Sequence, residues 1–320
     1  MVFVNEDDNP LQQPTRTRRE DATDEHAQVT TLLLALLAAF LYSLSQVSTR
    51  RALDHNPPLT VVLGTLAMTF TTVTSMMLAL GGNWAWPALP GLVVLVLAGL
   101  VAPGTARLLG AVGLRDFGPL VAVPYQFGTR PIIALVAGLV LFNEEVTPWR
   151  ILALAAIVVG LFWLTSGYKS EISDEKRPDQ SRLWIPAMAG VAYAISEILR
   201  KAGVSYTDSL TAAWLAGASA FILVTISTIL MPGQRARVEI PREWRWILFS
   251  GGAAALAQVV MFTALAGGDI TVVSPVMALQ PMIVMLLAPG LAAAGNISLR
   301  SVWKGGLVMT FGAVLMGLSA

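Results

Sequence analysis

Residues 118–147 read GPLVAVPYQFGTRPIIALVAGLVLFNEEVT, and the fold follows from how this stretch is read. It is apolar enough to cross a bilayer, yet its interior holds Pro124, Arg130 and Pro131 and it ends in Glu144 and Glu145. An arginine that deep in a membrane helix costs about 2.5–3.5 kcal/mol on insertion scales. Pro131 has no N–H, so the carbonyl of Phe127, four residues back, loses its helical partner. Lipid tolerates such backbone only where it faces protein or a wet cavity. The stretch is therefore expected to line a polar cavity, with the other helices as its walls.

The rest of the chain can supply those walls. Of 320 residues, 55% are hydrophobic and 13% charged, and the mean hydropathy is +0.66. Ordinary soluble domains carry roughly 25% charged residues. The apolar residues also come in repeated runs of about 20, the length that spans the hydrocarbon core. These features describe a polytopic helical membrane protein. The chain has no cysteine, which excludes disulfides, thiolate metal sites and a cysteine nucleophile. His26 and His55 both fall outside the apolar runs, and no metal site is expected. A net charge of +1 gives no sign of a nucleic-acid partner. Residues 1–29 are mixed in charge and lack the apolar core of a signal peptide, so they read as a disordered tail.

Ten spans can be placed, near 30–50, 59–80, 91–113, 118–142, 149–167, 183–203, 209–231, 245–266, 270–292 and 302–319. Turn chemistry separates them, as at Asn56-Pro57-Pro58, Gly81-Gly82-Asn83 and Gly267-Gly268-Asp269. The charged linker 168–182 divides the spans into a first set of five (30–167) and a second (183–320). The two sets are related without a gap at a shift of 151: Tyr42 falls on Tyr193, Ser45 on Ser196, Leu59-Thr60 on Leu210-Thr211, and Pro124 on Pro275. Five is odd, so the second set must enter the membrane the opposite way up. The expected fold class is thus an all-α membrane protein of ten transmembrane helices in two inverted five-helix repeats. Such repeats are a transporter signature, with the site near the midplane between them. Lysine and arginine are more numerous on the side opposite the N-terminus, which by the positive-inside rule makes that side cytoplasmic.

The chain resembles the drug/metabolite transporter superfamily, in its ten-span EamA-like branch. The residues that carry the likeness are Ala106-Arg107 through Gly113-Leu114 closing the third span, then Pro131 and Asn143-Glu144-Glu145 in the fourth and Gly160 in the fifth. Pro275, Pro281, Gly312 and Gly317 recur in the second repeat, but the acidic pair does not. The resemblance implies a cofactor-free, multi-pass carrier of small polar metabolites in the plasma (inner) membrane, often an exporter. It also implies cytoplasmic termini, the opposite of the charge count. Its expected partners are a small-molecule substrate and the lipid bilayer, with no nucleic acid; a homodimer is compatible with the sequence.

Each polar residue within a span has two readings. Arg130, with Gln126 on its face and Tyr125 nearby, holds an anionic group such as a carboxylate, or it satisfies the carbonyls freed by the prolines. Arg107 and its repeat partner Gln258 share a cavity position, or Arg107 snorkels to the interface. Tyr42 and Gln46 in the first span answer Tyr193 and Glu197 in the sixth, each pair four residues apart and so on one face. Glu197 is a candidate for proton coupling, or it forms an ion pair with Arg107 or Arg200. Arg50, Arg200 and Lys201 read as interfacial anchors.

Glu144 and Glu145 end a helix, where the dipole disfavours carboxylates. A cap on the fifth span or a gate contact to an arginine would offset this. Asp269 is expected to cap the ninth span. Tryptophans near the span ends, such as Trp84, Trp86, Trp184 and Trp244, read as an interfacial belt. Asn296-Ile297-Ser298 fits a glycosylation sequon.

The reading that joins these is a secondary carrier that is not an enzyme. Arg130, Gln126 and Tyr125 bind the substrate, Gln280 and Gln258 meet it from the second half, and Gln46 and Glu197 face across. An intramembrane enzyme and a non-transporting scaffold or receptor are the rivals. The first lacks cysteine and any intramembrane histidine; the second would gain little from the insertion cost of buried charge.

Overall fold

The computed structural model describes residues 13–82, 84–128, 130–169, 180–230, 233, 238–287 and 299–318. Among them the chain is all-helical. The helices are α1 (Gln13–Leu53), α2 (Pro58–Ala79), α3 (Leu89–Gly99), α4 (Ala106–Phe117), α5 (Pro119–Phe127), α6 (Arg130–Leu141) and α7 (Pro148–Lys169). Then come α8 (Trp184–Gly203), α9 (Ser209–Leu230), α10 (Trp244–Gly267), α11 (Ile270–Met277), α12 (Gln280–Leu287) and α13 (Leu299–Leu318). Helix α1 begins at Gln13, inside the segment expected as a tail. The sequon at Asn296 and the alanine-rich end of the ninth span lie outside the described residues.

Seven segments are long and apolar enough to cross a membrane by themselves: α1 from Gln28, α2, α3 to α4, α5 to α6 from Val121, α9, α10, and α11 to α12. Pro148–Trp163 of α7 and Lys304–Met316 of α13 are shorter apolar helices. Helix α8, expected as the sixth span, does not meet the same test. It carries Glu197, Arg200 and Lys201 near its C-terminal end, and the first two are buried inside the protein.

Local chemistry explains most boundaries. Prolines open α2, α3 and α5 within the first two helical positions, where a missing N–H costs nothing. Gly118 adopts φ 72° and its N–H closes α4 on the carbonyl of Leu114 at 3.0 Å. The third span therefore runs one turn past the expected residue 113. Three interruptions fall inside the membrane. Helices α5 and α6 part after Phe127, and α11 and α12 part after Met277, within a residue of the 151-residue shift that aligns the two halves in sequence. Between α3 and α4 the chain widens into a π-helical turn, Leu100–Thr105, where Ala102 leaves helical geometry (φ −152°, ψ 129°) ahead of Pro103. The equivalent stretch of α10 is continuous.

The halves pack through each other rather than side by side. Helix α1 lies on α10, α11 and α12, and α8 correspondingly lies on α3 to α6. Helix α2 packs on α9 and α10, α9 packs on α2 and α3, and α7 pairs with α13. The innermost element is α11, all eight of whose residues are buried. Turns gather on two faces. Arg242 N–H donates to Asn56 and Arg182 pairs with Asp116 on one; residues 142–147 meet 268–271 on the other.

Candidate functional site

The break between α5 and α6 places Arg130 at the first turn of α6, deep in the protein and 5% exposed. Helix α8 crosses it with Tyr193, Ser196, Glu197 and Arg200 on one face, at the 3–4 residue spacing of a helical stripe. The guanidinium forks onto Glu197, Nε reaching Oε2 at 3.3 Å and Nη2 reaching Oε1. Ser274 Oγ donates to the same Oε2 at 3.0 Å. The Arg130 Cζ lies 4.5 Å from the centre of the Phe127 ring and 5.5 Å from that of Tyr193. Phe127 and Tyr193 are themselves stacked, 6.4 Å apart. A buried ion pair gives little net stability because both charges are desolvated, but losing one partner strands the other. Arg130 thus pairs with Glu197 and not with the freed carbonyls, and Glu197 pairs with Arg130 and not with Arg107 or Arg200.

Beside this pair lies a cavity of about 60 Å³, tighter than the ~300–1,000 Å³ usual for small-molecule sites. Of the residues expected to bind, Tyr42, Gln46, Gln126, Arg130, Tyr193 and Gln280 line it, and so does Arg107. Arg107 does not reach the interface; it is half-buried, with Nη1 3.4 Å from Thr69 Oγ1. The lining follows α1 from Tyr42 to Thr49 and α4 from Arg107 to Leu114, toward the face that holds the Asn56 and Gly118 turns. The side chain of Gln280 is 1% exposed, and neither its amide nitrogen nor its oxygen has a hydrogen-bond partner.

Two expected binders lie elsewhere. Gln258 donates from Nε2 to the carbonyl of Ala213 at 2.6 Å and so fastens α10 to α9. Its repeat relation to Arg107 carried position and not role. Tyr125 is half-buried outside the cavity lining. Arg200, expected as an interfacial anchor, is instead 5% exposed and lines the cavity. It and Ser196 repair the interruption of the third span. Ser196 Oγ lies 2.9 Å from the carbonyl of Ala98 and 2.8 Å from that of Ala102, and Arg200 Nη2 donates to Ala102 at 2.9 Å. Leaving such carbonyls bare in a dry interior costs several kcal/mol each. The signal was in the chain: Pro103 within a span, and Ser196 and Arg200 four apart on the stripe of Glu197.

At the opposite face the acidic pair divides. Asn143 takes a left-handed conformation (φ 52°) and Glu144 N–H bonds the carbonyl of Gly138 at 3.0 Å, a helix-closing turn that leaves the Glu144 carboxylate between α6 and α11. Its carboxylate accepts the N–H groups of Ile270 at 2.8 Å and Thr271 at 3.0 Å. The dipole that opposes a carboxylate at the end of α6 is thereby answered by the start of α11. The cap on the ninth span therefore comes from Glu144, across the halves. Asp269 makes no side-chain cap and instead accepts Arg150 Nη1 at 2.9 Å. Arg150 also donates to the carbonyl of Glu145 at 2.6 Å, whose own residue is exposed. Any side chain at Gly138 would meet Thr271 and the Glu144 carboxylate under 3 Å away, so only glycine fits there. Lys201, expected as an interfacial anchor, caps α10 by donating to the carbonyls of Leu265 at 3.0 Å and Gly268 at 2.7 Å. Trp84, Trp86, Trp184 and Trp244 are exposed near helix ends, as a belt requires.

Comparison with known proteins places this site in context. The sequence model of the EamA-like transporter family matches residues 29–166. The threonine/homoserine exporter RhtA of Escherichia coli (strain K12) is 29% identical over 150 residues, 46% of this chain and 48% of that protein. The exporter of the same name from Salmonella typhimurium (strain LT2) is 31% identical over 138 residues, 42% and 44% of the two chains. The matched region thus spans about half the length of these curated relatives. A protein of known crystal structure superposes with a TM-score of 0.70 over 92% of this chain and 99% of its own, at 16% identity, a likeness of fold.

Proposed function

We propose, from the match of residues 29–166 to the EamA-like transporter family, that the protein is a gradient-driven carrier of a small polar, carboxylate-bearing metabolite. An amino acid exported across the plasma (inner) membrane is the type of substrate meant, in keeping with relatives named threonine/homoserine exporters. The observation that carries the reading is a cavity lined by polar side chains of both halves that extends toward one face. Arg107, Gln126 and Arg130 come from the first half; Tyr193 and Gln280 come from the second.

The two halves work as inverted five-helix repeats in this proposal. Support comes from the pairing of helices: exchanging first-half spans for their second-half counterparts maps the contacts of α1 with α10 to α12 onto those of α8 with α3 to α6. The interruptions after Phe127 and Met277 obey the same exchange. Alternating access is then the rocking of one repeat on the other. In this state the cavity extends toward the face of the Asn56 and Gly118 turns. The opposite face is held by Glu144 on α11, Arg150 on Asp269 and Lys201 on Gly268. Opening that face requires these contacts to part.

Glu197 is the group on which a coupling proton acts. Protonating it cancels the charge that holds Arg130 and frees the guanidinium for the substrate carboxylate. Purified protein in liposomes should exchange substrate with no ATP, and an absolute need for ATP would remove the carrier reading. Glu197→Gln should leave transport indifferent to an imposed proton gradient; coupling that survives the change puts the proton elsewhere.

A further inference from the structure

The charges in the cavity do not balance. Three guanidinium groups line it, those of Arg107, Arg130 and Arg200. The carboxylate that answers them is Glu197, and Arg130 occupies both of its oxygens while Ser274 shares one. Among the described residues, no carboxylate lies within ion-pair distance of Arg107 or Arg200. Arg200 turns to neutral acceptors, the carbonyl of Ala102 at 2.9 Å and the hydroxyl of Tyr42 at 3.5 Å, and its buried Nε has no partner. Arg107 reaches one hydroxyl at 3.4 Å. Two cations are therefore left facing a confined space, where an unpaired charge is costly.

An independent observation points the same way. Gln280, on the α12 side of the cavity, buries an amide whose donor and acceptor are both unpaired. An oxyanion between the arginines would take charge-assisted bonds from them and a further bond from Gln280 Nε2. An ammonium group finds no open carboxylate here, because Glu197 is committed to Arg130.

We infer that the site selects a small organic acid of net negative charge over a zwitterionic amino acid or an amine. This rests on the carrier reading above, keeps its carboxylate-bearing substrate, and replaces the amino acid given there as its type with an organic acid. Carboxylate and phosphate share the recognising chemistry, so both belong in the test.

The experiment measures the melting temperature of the purified full chain in detergent with succinate, glycerol 3-phosphate, threonine or putrescine at equal concentration. A ligand that binds the folded state raises it. Succinate or glycerol 3-phosphate should raise it, the larger shift naming the anion, with threonine and putrescine inert. Arg107→Gln, which copies the Gln258 of the other half, should weaken binding of that anion at least about tenfold, the loss of one charge-assisted contact, and Arg107→Lys should retain most of it. A larger shift with threonine or putrescine than with either anion overturns the inference, as does unchanged anion binding in Arg107→Gln. The same four probes in liposomes separate the two levels. Exchange of threonine without the anions removes only the anion preference, whereas exchange of none removes the carrier reading itself.

Discussion

The α5–α6 interruption and the α11–α12 interruption have the same backbone and opposite chemistry. Both follow a proline by a few residues, at Pro124 and at Pro275, and both part at equivalent positions. At the first, Arg130 enters with a charge and finds its partner on α8. At the second, Gln280 and Pro281 enter, and the Gln280 amide has no partner at all. The break follows the prolines, because a proline removes a helical bond whichever way the segment runs. The side chains placed there differ between the halves. Matching breaks thus present different chemistry, a paired charge at the first and an unpaired amide at the second.

The sharpest way to break this comparison is to strand one member of the charged side. Arg130→Met should lower stability by about 3–5 kcal/mol by leaving Glu197 buried and unpaired, while Arg130→Met with Glu197→Leu should recover much of that. Thermal unfolding of the two variants in detergent decides it, and equal losses would remove the ion pair from the account. Ser196→Ala comes next in size. It removes the one hydroxyl proton that the Ala98 and Ala102 carbonyls share, and Ala102 keeps Arg200; the change should cost about 1–3 kcal/mol in the same assay.

Glu144→Ala removes the cap from α11 and should cost about 0.5–2 kcal/mol. Because the chain has no cysteine, a single introduced cysteine reports access cleanly. Thr271→Cys should label faster from the closed face once Glu144 is gone, and an unchanged rate would mean that this contact does not hold the face shut. Asp269→Asn, at a side chain 40% exposed, should cost no more than about 1 kcal/mol because solvent screens the pair. Gln280→Leu probes the neutral side and has the opposite sign. It removes an unpaired buried amide, so stability should hold or rise slightly while ligand-induced stabilisation falls. Loss of stability there would mean the amide is satisfied by the protein after all.

The chain alone was enough to determine a helical membrane protein and the breaks in the fourth and ninth spans, though not the one ahead of Pro103, because hydropathy runs and prolines act locally. That six residues expected as binders, and Arg107, line one cavity has a related reason: a polar residue within an apolar run has few places to go except a cavity. The equivalence of Arg107 and Gln258 misled, since a shared register fixes where a side chain sits and not what lies across from it. Partners were settled only by tertiary packing. Nothing local says that Arg130 meets Glu197, that Arg200 serves Ala102, or that Glu144 caps a helix 126 residues away. Each of these bonds joins elements distant in sequence, and a buried charge takes whichever counter-group the packing brings within reach. The prolines and hydropathy mark where Gly118–Thr147 breaks; the crossing of α8 and the docking of α11 decide what its charges do.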